Sequence, residues 1–235
     1  MRRSADPATL VLCAMLPKAF PRGARAAWQA DVGRARVPVT WAGDVDVLAE
    51  AATTGVAATL ALALEPAWFD SRSTLRRMIA AARQAAPGLE TAVLRGPRPT
   101  AHAAVLAEEG IRVVVADTLD DSRRGSRRPA PAGWRCRNPV WGLWEFQAEP
   151  RREAGILAWL VHGSMPRARA GSLHVLQAGR VTAERPVSGR LDRWMAWAER
   201  RMAGGRARVA TPAELPTLVA GGGQQAVSGS VLKAA

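Results

Sequence analysis

Apolar runs recur along the chain at intervals that leave room for a helix between them, which is the punctuation of a βα protein. Residues 8–16, ATLVLCAML, are continuously apolar, as in a strand buried on both faces of a parallel sheet. The short β-branched run 37–41 predicts a second strand. The segment DVDVLAEAA after it predicts a short helix with Asp44 as N-cap. Residues 55–64, GVAATLALAL, fit strand or buried helix by pattern; the clear helix that follows selects strand. That helix, 73–86, has apolar residues at helical spacing, Ser73 as cap and a stop at Pro87-Gly88.

The alternation continues with a strand over 91–96, a helix over 100–110 ending in glycine, and a strand over 111–117. Residues 120–133, rich in arginine and proline, predict an exposed loop within the same domain. Beyond it come a strand over 141–146, a helix from about 151 to 162, a strand over 172–179 and an amphipathic helix over 191–202. The segment RARVATPAEL closes the series with a short strand and a helix whose Thr211, Pro212 and Glu214 fit a capping box. Glycines and small polar residues from Val219 onward predict a disordered tail over 219–235, leaving one domain over 1–218. Seven to eight strand–helix units predict an α/β fold, a distorted parallel β/α barrel, with an open doubly wound sheet as the alternative.

The composition supports a folded domain: of 235 residues, 48% are hydrophobic and 23% charged. A net charge of +13 would suggest a nucleic-acid partner, but the cations are almost all arginine, lysine occurring only at Lys18 and Lys233. No helix-turn-helix, zinc-finger or aromatic RNA-binding signature accompanies the charge, so nucleic acid is not the expected partner. The run Arg123, Arg124, Arg127 and Arg128 reads as a solvated loop, with docking of an acidic partner as the other reading. Cys13 and Cys136 form no CxxC pair and read as isolated thiols. The apolar start is interrupted by Asp6 and Pro7, unlike a secretory signal, and no uncharged stretch is long enough to span a bilayer. A cytoplasmic protein is expected.

Five stretches in order carry a family resemblance: TLVLCAML, VPVTWAGDVDVLAEA, LRGPRPTAHAAVLAEEGIRVVVAD, SLHVLQAG and RVATPAEL. Over roughly residues 8–215 the chain resembles the polysaccharide deacetylases, carbohydrate esterase family four, which fold as distorted β/α barrels. The resemblance implies paired aspartates after the first strand, where this chain reads AMLPKAF, and two histidines four residues apart after the third, where it reads LALEPAWF. Glu65 is the sole candidate ligand in the second stretch. The three histidines, His102, His162 and His174, are scattered, so no metal site and no cofactor are expected.

Two features carry over from the resemblance. Arg95, with Pro97 and Arg98, matches a turn that presents an arginine to the catalytic groups. His174 matches a histidine near the end of a late strand that acts as general acid. For each, a purely structural role stands beside the functional one: a turn arginine bridging carbonyls, a core histidine bonded to backbone. His162 reads as a helix C-terminal residue and His102 as exposed.

The chain has nine tryptophans, no tyrosine and three phenylalanines. Trp41, Trp68 and Trp134 fall near predicted strand ends, where a barrel keeps its site and indoles stack on sugars. Trp141 and Trp144 are expected to fill the barrel, and Trp194 and Trp197 to face the core. Asp44, Asp46, Asp117, Asp120 and Asp121 follow predicted strands, as helix caps or as a relocated acid–base set. The leading expectation is a metal-free, catalytically degenerate deacetylase-like protein that binds a carbohydrate or glycoconjugate. The alternatives are a hydrolase that pairs Asp44 or Asp117 with His174, and a basic interaction protein docking through its arginine loop.

Overall fold

Strand β1 (Ala8–Met15) is buried along its whole length, and the sheet is built around it. In a computed structural model, residues 6–17, 24–54, 59–94, 102–116, 134–149, 168–180 and 189–223 are described. The order is β1, α1 (Ala24–Arg34), β2 (Thr40–Gly43), α2 (Val45–Ala52), β3 (Thr59–Leu64), a 3-10 turn (Pro66–Asp70) and α3 (Arg72–Ala85). It continues with β4 (Thr91–Leu94), α4 (Ala103–Glu108), β5 (Val113–Ala116), β6 (Cys136–Val140), β7 (Leu143–Gln147) and β8 (Leu173–Arg180). Helix α5 (Gly189–Ala203), β9 (Ala207–Val209), a 3-10 turn (Pro212–Glu214) and α6 (Leu215–Gly223) complete it.

The strands lie in the order β6-β7-β5-β4-β3-β2-β1-β8, all parallel except the β6–β7 hairpin. Strand β1 uses both edges. One pairs with β8, and the other pairs first with β9 at Ala8 to Leu10 and then with β2 at Cys13 to Met15. The sheet curls until its two sides meet beyond β7, where the Glu149 N–H donates to the Val175 carbonyl at 2.8 Å.

Side-chain alternation then sorts the core into an inside and an outside. Val11, Cys13, Met15, Ala42, Ala61, Ala63, Val93, Val113, Val115, Phe146, Ala148, Leu173 and Val175 form one inner cluster. The opposite faces of the same strands pack against helices: Trp28 of α1 and Trp197 of α5 on one part, Leu75 and Ile79 of α3 and Leu106 of α4 on the other. An open doubly wound sheet would have helices on both faces. Here helix side chains reach the inner cluster from α6 through Leu215, Val219 and Leu218, so the chain is a mostly parallel, curled half-barrel.

Several details depart from the expectations. Helix α3 is capped by Ser71, whose hydroxyl accepts the Thr74 N–H, and not by Ser73. Strand β6 is an addition, since no element was expected between residues 133 and 141; the hairpin with β7 supplies the pairing that Asn138 and Pro139 do not signal locally. Its turn is Trp141-Gly142, with Gly142 at φ 83, so Trp141 stands 88% exposed instead of filling the barrel. Trp144 does join the inner cluster, and Trp194 and Trp197 face the core. Helix α6 continues past Leu218 to Gly223, with Val219 buried among the inner residues. The arginine loop over 120–133, the helix expected over 151–162 and the tail beyond 223 lie outside the described residues. Among the described residues no helix is long and apolar enough to cross a membrane.

Candidate functional site

The inner rows of side chains can be followed to the carboxyl ends of the strands, where a curled β/α sheet opens. Asp44 follows β2 with extended backbone, φ −72 and ψ 167, so it takes the same side as Ala42. Glu65 follows β3 with φ −103 and ψ 137 and takes the side of Ala61 and Ala63. Both occupy N-cap positions, yet neither side chain caps its helix. The two carboxylates therefore continue the inner face of adjacent strands, whose spacing is about 4.8 Å.

On the other side of β1 the inner row ends in Met15 and in Gln177 of β8. Gln177 is 3% exposed, and its amide N–H donates to the Met15 sulfur at 3.3 Å. Its Oε1 is buried without a hydrogen-bond partner among the described residues, an expensive state for an amide oxygen. Sequence reasoning missed Gln177. The signal was the alternation itself, since the inner row of β8 runs Leu173, Val175, Gln177 and passes over His174.

His174 lies near the start of β8, opposite Leu10, on the outward side of the strand. Asp44 follows the far end of β2, beyond the level of Met15, so the expected pairing of Asp44 with His174 is not brought together. His174 instead bonds Glu149 and Ser172. Arg95, Arg98 and Asp117 lie outside the described residues.

Of the three tryptophans expected to bind ligand, Trp41 is 2% exposed and meets Trp28 edge to face at 6.0 Å on the helix-covered side. Trp134 is packed in the inner cluster and donates its indole N–H to the Gly171 carbonyl at 2.8 Å. Trp68 is half-buried and packs against the helix-covered cluster of Leu62, Leu64 and Phe69, so it too lies away from the inner face, although its backbone N–H donates to the Glu65 carbonyl. His102 is exposed, at φ 58 before α4.

Burial alone pushes the Cys13 thiol up to about 12, which leaves it neutral and unreactive at ordinary pH. Where the deacetylase resemblance implies zinc, no group of three or more His, Cys, Asp or Glu side chains suited to a metal occurs among the described residues. A cleft of about 240 Å³ between α1 and β2 is lined by Val32, Arg36, Val37, Pro38, Trp41 and Thr59, and brings no nucleophile or carboxylate together.

No protein-family profile and no curated protein sequence matches the chain. Among solved structures it is similar to 4-alpha-glucanotransferase from Thermococcus litoralis, with a TM-score of 0.50 and 12% identity. The likeness covers 89% of this chain but 38% of that one, and it places the protein with a barrel-type fold.

Proposed function

We propose that the protein binds a carbohydrate or glycoconjugate at the carboxyl-end rim of its curled sheet, and that this rim is a metal-free, deacetylase-like pseudoenzyme site. The observation that carries this reading is the inner rim row of Gln177, Met15, Asp44 and Glu65 across four neighbouring strands. Carboxylates accept hydrogen bonds from vicinal hydroxyls, and a glutamine amide offers both donor and acceptor, which suits sugar hydroxyls that do both. The glucanotransferase likeness supports the fold on which such a site is built.

The pseudoenzyme part rests on chemistry. Where the resemblance implies paired aspartates and two histidines the chain reads AMLPKAF and LALEPAWF, so those positions supply no ligand set to lower the pKa of a bound water for attack on an amide. Calorimetric titration with chitin-type and α-glucan oligosaccharides tests the reading, with Asp44→Asn, Glu65→Gln and Gln177→Ala beside the wild type. One oligosaccharide class is expected to bind, with each substitution weakening it about tenfold, the worth of one hydrogen bond to a charged or buried group. Absence of binding by either class overturns the ligand assignment. Stoichiometric zinc after dialysis, or acetate release abolished by chelator, overturns the pseudoenzyme assignment.

A further inference from the structure

A second cluster of chemically capable side chains lies away from the rim, where the two sides of the sheet meet. Ser172 and His174 are two apart on one extended segment, so their side chains share a face. The Ser172 hydroxyl oxygen lies 2.9 Å from His174 Nε2, and His174 Nδ1 lies 3.0 Å from Glu149 Oε1. Glu149 arrives from the opposite side of the sheet, held by its N–H bond to the Val175 carbonyl at 2.8 Å. A hydroxyl, an imidazole and a carboxylate in that order, each within hydrogen-bond reach of the next, form a nucleophile–base–orienter relay.

We propose that Ser172, His174 and Glu149 form a second site that cleaves carboxylic esters through an acyl-serine intermediate. With Nδ1–H donating to Glu149, Nε2 is the unprotonated nitrogen facing Ser172. Oγ attacks the ester carbonyl carbon, its proton passes to Nε2, and the carbonyl π pair moves onto oxygen. Collapse of the tetrahedral adduct breaks the bond to the alcohol, which leaves with the proton from Nε2. Water then attacks the acyl-serine by the same relay, so ester and water become acid and alcohol.

The nucleophile is well fixed. Gly171 takes φ 72 in the turn before it, its N–H donating to the Asp6 carbonyl at 2.8 Å and its carbonyl accepting from Trp134. The Ser172 N–H donates to the Arg169 carbonyl at 3.0 Å, and the Ser172 carbonyl accepts from the Thr9 N–H at 2.7 Å. Ser172 is half-buried, the His174 side chain 12% exposed and that of Glu149 42% exposed, so the relay is reachable from solvent.

Two features define the substrate class. The Ser172 hydroxyl also lies 2.6 Å from the Arg169 carbonyl, so its proton rotates between that oxygen and Nε2. The Gly171 and Ser172 N–H groups are already committed, leaving this turn no free pair to hold an oxyanion. Among the described residues this turn therefore supplies no oxyanion donor, a loss worth about 10²- to 10³-fold in rate, which favours esters with good leaving groups over amides.

The test is labelling with a fluorophosphonate, which phosphonylates an activated serine by the same attack, read by intact mass and peptide mapping. One adduct per chain, on Ser172, is expected, together with slow hydrolysis of p-nitrophenyl acetate. Ser172→Ala should abolish the adduct, and His174→Gln should slow its formation at least 100-fold. Glu149 is a positioning residue. Glu149→Gln should slow labelling about tenfold, and Glu149→Asp should recover part of that loss, because the imidazole needs a carboxylate to orient it. Asp44→Asn and Glu65→Gln should label normally, which separates this site from the rim. No adduct on the wild type, an adduct on another serine, or His174→Gln labelling at the wild-type rate would each overturn the assignment.

Discussion

The two sides of the sheet handle buried polarity in opposite ways. Within strands β1 to β5 the buried polar residues are Thr9, Thr40 and Thr91, and Cys13 is held neutral by desolvation. On the closing side, β7 and β8 carry Glu145 at 0% exposure, paired with Arg137 of β6 at 2.5 Å, and Gln177 with its unmatched oxygen. His174 and Glu149 lie at the seam itself. The regular βα side is held by apolar packing and strand pairing, while the closing side depends on polar partners that the chain brings together from distant segments.

The sharpest way to break this contrast is to remove one member of the buried pair. Arg137→Ala should cost about 3–5 kcal/mol, because it strips a fully buried carboxylate of a guanidinium. Replacing both, Arg137→Met with Glu145→Leu, should cost less than the single change, since apolar residues of similar size avoid the desolvation penalty. Urea unfolding of the three proteins measures both. If Arg137→Ala is as stable as the wild type, the buried carboxylate does not depend on its partner and the contrast fails.

An alkaline titration sharpens the other side of the comparison. The Cys13 pKa is raised by burial from 9.0 to about 12, so between those values the unfolded chain has released a proton that the folded chain retains. Its contribution is therefore complete below pH 9 and is lost as pH rises through that window, at about 1.4 kcal/mol per pH unit for one such group. Cys13→Ala should flatten that part of the stability curve. An unchanged slope would show that the thiol is not desolvated.

The smallest effect belongs to the hairpin tip. Trp141→Ala should change stability by less than about 0.5 kcal/mol despite the loss of a large side chain, because Trp141 is 88% exposed. A melting temperature lowered by several degrees would place that indole against a neighbour.

How much could be read in advance follows the same division. The parallel strands and helices α2, α3 and α5 are legible because a strand buried on both faces must be continuously apolar and a covering helix must show an apolar stripe. Asp44 was legible as the residue that ends β2 and precedes α2, but its failure to cap the helix was not. His174 was legible as a functional candidate, while its partners Ser172 and Glu149 were not named, because 25 residues separate His174 from the carboxylate. Strand β6 was hidden by Asn138-Pro139 and is fixed by pairing with β7.

The sequence by itself determined the alternation of elements, the apolar character of β1 and the absence of the paired-aspartate and histidine motifs, all of which are local patterns of residue type. The tertiary structure alone decided which face each strand turns inward and which segments meet at the seam. A shift of one residue moves a side chain to the other face of a strand, and the contact of Glu149 with His174 exists because the sheet curls. On those two decisions rest the rim of Gln177, Asp44 and Glu65 and the relay of Ser172, His174 and Glu149.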